Sequence, residues 1–407
     1  MATVELPNPL FDTLQYHADQ LAALQNHPFA DDYRHAAEFI YSYRGSSATF
    51  NAYRREIERL LQWSAHIIHQ PLKQLKRQDI ENFIQFCQQP PNTWIALKKC
   101  DRFILKDGKR VPNPEWRPFV VTVSKTARRA GQQPNINEYA LSQKALQAIF
   151  SILSSFFNYL IQEDYVEFNP VSQIRQKSRY FRKQQHQTPI RRLSELQWSY
   201  VIETAEKMAT ADPLHERTLF IMNALFGMYL RISELAASQR WTPQMGDFFR
   251  DLDGNWWFRT VGKGNKERQI AVSDAMLTSL KRYRESLGLS PLPDLGENKP
   301  LLNRTKGKGP ISSTRHIREI VQSCFDAAVD RMVQDGFSED AQQLNAATVH
   351  WLRHTGISED VKIRPREHVR DDAGHGSSAI TDRYIDVELR ERHASGKKKR
   401  IKPDDLV

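Results

Sequence analysis

Cysteine is scarce in this chain of 407 residues: Cys87, Cys100 and Cys324 are odd in number and widely scattered. They make neither a disulfide framework nor a zinc knuckle, which fits a reducing cytosol and sets a cytoplasmic, nucleoid-associated location as the expectation. No apolar run approaches the roughly 20 residues that a membrane span needs, so no membrane partner is expected. The N-terminus, MATVELPNPLFDTLQ, lacks a basic region followed by an apolar core, and no secretory signal is read there. A phosphate-cradling GxxxxGK[ST] loop is missing, because VGKGNKER at 261–268 has the wrong spacing and leads into a strand. Acidic residues are absent from 175–192, a stretch that carries Arg175, Lys177, Arg179, Arg182, Lys183, Arg191 and Arg192.

What is present describes a folded protein with a polyanionic partner. The chain is 40% hydrophobic, with 20 Phe, 13 Tyr and 8 Trp, enough for two cores. Its formal charge of +10 favours nucleic acid, although a basic but otherwise ordinary enzyme has the same balance.

Helical spacing dominates the first half. Residues 1–30 read as a short helical or loosely attached leader, with Leu14, Ala18, Leu21 and Leu24 at helical spacing. DDYRHAAEFIYSYR places Ala37, Ile40 and Tyr41 on one face. TFNAYRREIERLLQWSAHI carries Tyr53, Ile57, Leu60, Leu61 and Ser64 on a stripe, with Arg54, Arg55 and Arg59 off it. Ile80, Phe83, Ile84 and Cys87 mark a third helix, which Pro90-Pro91 ends. The apolar residues from Leu146 to Leu160 mark the central helix of a bundle. Between these helices, a basic insertion at about 91–140 contains a small hairpin around Asp107-Gly108. A solvated structural role and a DNA-contacting role both fit it. The domain boundaries expected are a helical domain at 31–176, a basic linker at 177–192, a second domain at 193–390 and a basic tail at 391–407.

The second domain opens on a capping box, Ser194 with Gln197, stapled by Leu193 and Trp198. Three strands around Asp253-Gly254 and Lys263 then form an antiparallel meander, and helices follow. HWLRH at 350–354 puts His350 and His354 on one helix face, the geometry of a helical zinc pair. A zinc protease needs Glu where Trp351 stands, so no metal is expected. Arg353 beside His350 suits an anionic, phosphate-like group, and a structural arginine held by carboxylates is the alternative. LRISEL at 230–235 offers Arg231 to a phosphate or to an ordinary helix-start ion pair with Glu234. Lys263, at the tip of a hairpin, can be delivered into a site formed elsewhere.

Taken in order, Arg231 in LRISEL, Lys263 in VGKGNKER, His350 and Arg353 in HWLRH, His375 in AGH and Tyr384 resemble the tyrosine recombinase (phage integrase) family. The helical segments SSATFNAYRREIERLL, PLKQLKRQDIENFI and SFFNYLIQEDYVEFNP resemble that family's core-binding domain, so the resemblance covers roughly 33–390. It implies a mostly α fold with a small antiparallel β-sheet: a SAM-like helical core-binding domain and a mixed α/β catalytic domain. It also implies a site-specific recombinase, or integrase, of a mobile genetic element, which cleaves and rejoins double-stranded DNA for integration, excision or resolution. In that scheme Tyr384 attacks the scissile phosphate to give a 3′-phosphotyrosine, and Arg231 and Arg353 bind its oxygens. Lys263 protonates the leaving 5′ oxygen, His350 assists the tyrosine's proton transfer, and His375 hydrogen-bonds the phosphate. The resemblance further implies no metal, no ATP and no cofactor, a tetramer on DNA, and possible accessory or directionality proteins. Ala373 stands where the family usually has Leu, and His354 is assigned a structural role. A topoisomerase IB-like relaxation enzyme and a non-catalytic DNA-binding relative are the alternatives.

Overall fold

The computed structural model describes residues 6–16, 28–175, 192–262, 264–305, 307–377, 380–381 and 397. The chain divides into two compact units, Met1–His186 and Gln187–Val407. The basic stretch 177–191, Lys263, Tyr384 and the tail apart from Lys397 lie outside the described residues.

The first unit is built on helices α1 (Ala30–Ser42), α2 (Ser47–Trp63), α3 (Arg77–Gln88), α4 (Lys125–Arg129), α5 (Gln143–Gln162) and α6 (Pro170–Arg175). Side-chain hydroxyls start two of the longest: Ser46 accepts from the Thr49 amide at 3.4 Å and Ser142 from the Ala145 amide at 3.2 Å. Ile40, Ile57, Leu60, Phe83, Ile84, Leu153 and Phe156 meet in the core. By length and hydropathy α5 is apolar enough to cross a membrane, against the expectation that no run is. Eight of its residues, from Leu146 to Leu160, are buried in this core.

Helix α2 departs from its expected stripe. Arg54 and Arg59 are buried along with Glu56 and Glu58, because the chain covers the helix on a second side. Residues 6–16, part of the leader expected to be helical or loosely attached, cover part of it: Phe11 is buried, and the Leu10 amide donates to Glu58 at 2.5 Å. The insertion covers another part, since the Arg59 guanidinium donates to the Pro118 carbonyl at 2.7 Å. Conversely, Tyr41 is exposed on α1, and Tyr33 and Ala36 are buried in its place.

Within the insertion, β2 (Phe103–Lys106) and β3 (Lys109–Pro112) form the hairpin around Asp107-Gly108. Strands β1 (Ile95–Ala96) and β4 (Phe119–Val120) pair in parallel. With two residues each, they are too short to show an alternation in sequence.

In the second unit, the Ser194 capping box opens α7 (Glu195–Ala211), and Leu193 is buried. Trp198 stacks on Phe226 of α8 (Glu216–Gly227), with centroids 4.2 Å apart. A short α9 (Ile232–Leu235) leads to the meander β5 (Phe248–Arg250), β6 (Trp256–Val261) and β7 (Glu267–Ala271), in spatial order β5-β6-β7. Then come α10 (Asp274–Ser286), α11 (Thr314–Gln334), α12 (Ser338–Asn345), α13 (Val349–Ile363) and α14 (Arg366–Ala373). The fold is therefore mostly helical with small sheets, as expected.

Helices α8 and α13 approach so closely that only glycine fits at the crossing. A Cβ on Gly356 would sit 2.1 Å from the Phe226 carbonyl oxygen and 3.2 Å from the Tyr229 ring. That contact sets the depth of α13, which carries His350 and Arg353. Gly356→Ala is expected to destabilise the second unit by about 1–3 kcal/mol or more through overpacking, measured as a lower denaturation midpoint. A midpoint equal to that of the parent would show that the crossing relaxes freely.

Candidate active site

Three guanidinium groups converge beside β7 and the end of α14, and the backbone places each one. Arg231 occupies the N-cap of α9. Its amide donates to Glu234 Oε2 at 2.8 Å and its Nη1 to Glu234 Oε1 at 3.0 Å. Arg268 lies on β7 on the same face as the buried Ile270, opposite the fully buried Thr260 of β6. It grips Glu234 with both terminal nitrogens, at 2.7 and 2.8 Å, and donates from Nε to the Asp372 carbonyl at 3.0 Å. Arg353 is 2% exposed. It donates to the Tyr229 carbonyl and, at 2.6 Å, to the Ala373 carbonyl.

The Tyr229 carbonyl faces Arg353 because the chain turns sharply there. Tyr229 has φ of 50°, in the left-handed region that a bulky residue adopts only when its surroundings compel it. Its side chain supplies the compulsion. The hydroxyl donates to Asp360, and Arg364 donates to that hydroxyl at 2.9 Å, to Asp360 at 3.1 Å and to Asp372 at 2.6 Å. Burial and the hydrogen bond to Asp360 push the Tyr229 hydroxyl far above its ordinary range, so this tyrosine stays protonated as a structural strut. Tyr229, Ile357, Val369 and Ala373 form a small apolar cluster of their own. Ala373, fully buried, thus packs in this cluster while its carbonyl holds Arg353.

Two glycines keep the site compact. A Cβ on Gly262 would stand 3.1–3.4 Å from Arg268, Glu234 and Arg231. At Gly374, where φ is +62°, a Cβ would stand 2.9 Å from Arg268 Cδ.

The histidines are neutral bases in this cationic setting. Desolvation, followed by the charges of Arg353, Arg231 and Arg268 and by His350, lowers His375 to about 4. Desolvation and then His350, Arg353 and His375 lower His354 to about 3. His350 is held below its ordinary 6.5 by desolvation and by Arg353 and Arg231. Its ring lies against that of His354, centroids 4.1 Å apart. His375 Nδ1 lies 2.9 Å from Thr381 Oγ1. Among the described residues, no group of three or more His, Cys, Asp or Glu suited to a metal occurs.

Of the six residues singled out in the sequence, Arg231, His350, Arg353 and His375 share one electrostatic neighbourhood. Lys263 and Tyr384 lie outside the described residues. Arg268 was missed, and Glu234 was read as the partner of Arg231 alone. The overlooked signal was strand alternation: an arginine in phase with Ile270 on a half-buried strand needs a buried anion.

The cluster can bind an oxyanion. Guanidinium forks provide charge and paired donors for non-bridging phosphate oxygens, and neutral imidazoles provide proton acceptors.

Comparison with known proteins points to one family. No family-level profile matches the chain. The tyrosine recombinase XerD of Rickettsia prowazekii (strain Madrid E) is 29% identical over 149 residues, which cover 36% of this chain and 44% of that protein. The chain thus spans under half the length of that relative. The XerD of Listeria monocytogenes serovar 1/2a is 23% identical over 282 residues, 68% of this chain and 80% of that one. Among solved structures, the XerH site-specific recombinase bound to palindromic difH substrate, a post-cleavage complex, superposes with a TM-score of 0.55. It is 14% identical, with 96% of this chain and 91% of that chain covered, a likeness of fold.

Two outcomes are expected from the site itself. Glu234→Gln leaves two guanidinium groups facing each other without their shared carboxylate and is expected to cost about 3–5 kcal/mol in denaturant unfolding. A cost under about 1 kcal/mol would show that the pair is solvated rather than buried. Acid is the second probe. Unfolded histidine gains its proton below about 6.5, whereas folded His375 gains it only near 4. The unfolded state therefore binds more protons in that window, and stability falls as pH drops from 6.5 toward 4. His375→Gln should make the thermal midpoint less sensitive to pH across that window, and an unchanged slope would contradict the buried, neutral ring.

Proposed function

With the sequence relatives and the fold of the tyrosine recombinases as the premise, we propose that this chain is a site-specific recombinase that breaks and rejoins duplex DNA through a phosphotyrosine. The observation that carries this reading is the convergence of Arg231, Arg353, His350 and His375 on one cationic site.

Tyr384 is the proposed nucleophile. Its phenol, with an ordinary pKa near 10, is a poor attacking group at neutral pH, and a neutral His350 can take its proton as the oxygen–phosphorus bond forms. Arg231 and Arg353 offset the negative charge that accumulates on the non-bridging oxygens, and His375 adds a hydrogen bond. Because Arg353 and Arg231 are already anchored, little reorganisation is needed as charge develops. Lys263 delivers a proton to the departing 5′ oxygen. The phosphotyrosine retains the energy of the phosphodiester, so a 5′-hydroxyl from a second duplex reverses the attack and exchanges strands. Assembly as a tetramer on two duplexes, action on mobile DNA and a cytoplasmic setting complete the proposal. Nothing in the fold or the relatives favours relaxation of a single duplex instead.

The test uses a nicked duplex of the cognate site, from which the cleaved fragment diffuses away and traps the enzyme. An adduct stable in SDS is expected with the parent protein in EDTA, none with Tyr384→Phe, and a loss of about 100-fold or more in cleavage rate with Arg353→Ala. Persistence of the adduct in Tyr384→Phe would remove the proposed nucleophile. Abolition by EDTA would remove the metal-free mechanism.

A further inference from the structure

The β2–β3 hairpin projects a short, stiff, cationic tip from the first unit. Its root and one edge are locked: Arg110, opposite Leu105, makes a bidentate pair with Asp12, at 2.5 and 2.8 Å. Arg102 pairs with Glu58, donates to the Phe11 carbonyl at 3.0 Å and lies over the Trp116 ring at 4.7 Å. Phe103 is buried, and Asn113 donates from its backbone to the Arg102 carbonyl at 2.9 Å and from its side chain to the Asp101 carbonyl at 2.7 Å. The turn is equally defined. Asp107 and Gly108 have φ of 50° and 74°, the two positive values of a type I′ turn, and Lys106 pairs with Lys109 across it.

The tip has a different chemistry from the root. Leu105 is 70% exposed and Ile104 37%, while Lys106 and Lys109 are exposed between them and the turn. Lys98 and Lys99, in the segment that leads to the hairpin, are exposed as well. None of these four lysines is paired with a carboxylate among the described residues. A lone exposed leucine needs no explanation. A leucine at the end of an anchored ribbon, flanked by unneutralised lysines, is the chemistry of a groove-entering element.

We propose that this hairpin is a DNA-contacting ribbon, with Lys106 and Lys109 on phosphates and Leu105 in the groove. The inference rests on the DNA reading above and adds a contact made by the insertion. Shape supports it: a major groove admits a two-stranded ribbon. Charge complementarity selects DNA over a protein partner, because two adjacent strands present cations and one acid, Asp107.

Full-length protein and a fluorescein-labelled 30-base-pair duplex of mixed sequence provide the test, read by fluorescence anisotropy over a salt series. In the double variant Lys106→Gln, Lys109→Gln, affinity is expected to fall about fivefold or more and the salt slope to shrink by about 1.8, two phosphate contacts at about 0.9 each. Leu105→Ser is expected to lower affinity while leaving the slope unchanged. Acetylation footprinting supplies an independent measure in the unmutated protein: Lys106 and Lys109 should be protected by the duplex. Unchanged affinity and slope in the double variant, or unprotected lysines, would overturn the ribbon and point to a protein occupant. If the parent still forms its tyrosyl adduct in that case, only the ribbon falls; if the parent binds no duplex, the functional reading falls with it.

Discussion

Guanidinium groups repel one another, and a site that gathers three of them depends on how that repulsion is met. Here one buried carboxylate, Glu234, is shared by Arg231 and Arg268. Main-chain carbonyls of Tyr229, Asp372 and Ala373 accept further donors of Arg268 and Arg353. Carbonyl oxygens carry partial rather than full charge, so they orient the arginines without neutralising them. The pocket therefore keeps an excess of positive charge. Much of the local architecture serves that arrangement: the left-handed turn at Tyr229, the Asp360–Arg364–Asp372 network that fixes it, and glycines where a Cβ would crowd the arginines.

The histidines are set by burial first and by that excess second. Partial burial disfavours the charged imidazoles, and the neighbouring guanidinium groups add to the effect. An incoming phosphate reverses the balance, since its negative charge favours protonated rings. On the proposed function, phosphate binding and proton uptake are therefore coupled in this site.

Much of this was legible in the sequence because it was local. Capping at Ser194, the hairpin turn at Asp107-Gly108 and the meander follow from spacing and turn chemistry within short windows, and four of the site's basic groups from short motifs that resemble those of the tyrosine recombinases. What escaped was long-range. Arg268 meets Glu234 across 34 positions, and only alternation along β7 hinted that it points inward. Arg54 and Arg59 sit off the apolar stripe of α2, yet they are buried, because residues 6–16 and the insertion fold over that side. Similarly, β1 and β4 pair across more than twenty residues with too few positions each to show a pattern. Length and hydropathy also fail to separate a core helix such as α5 from a membrane span, whereas burial of its stripe by neighbouring helices does.

The central claim is that the cationic cluster holds a DNA phosphate for attack by one particular side chain. Peptide mapping of the trapped protein–DNA adduct, after nuclease digestion to a single residual nucleotide, tests it most directly. The account predicts one modified peptide, with a 3′-linked nucleotide on Tyr384. A nucleotide on any other residue, or a 5′ linkage at Tyr384, would contradict it.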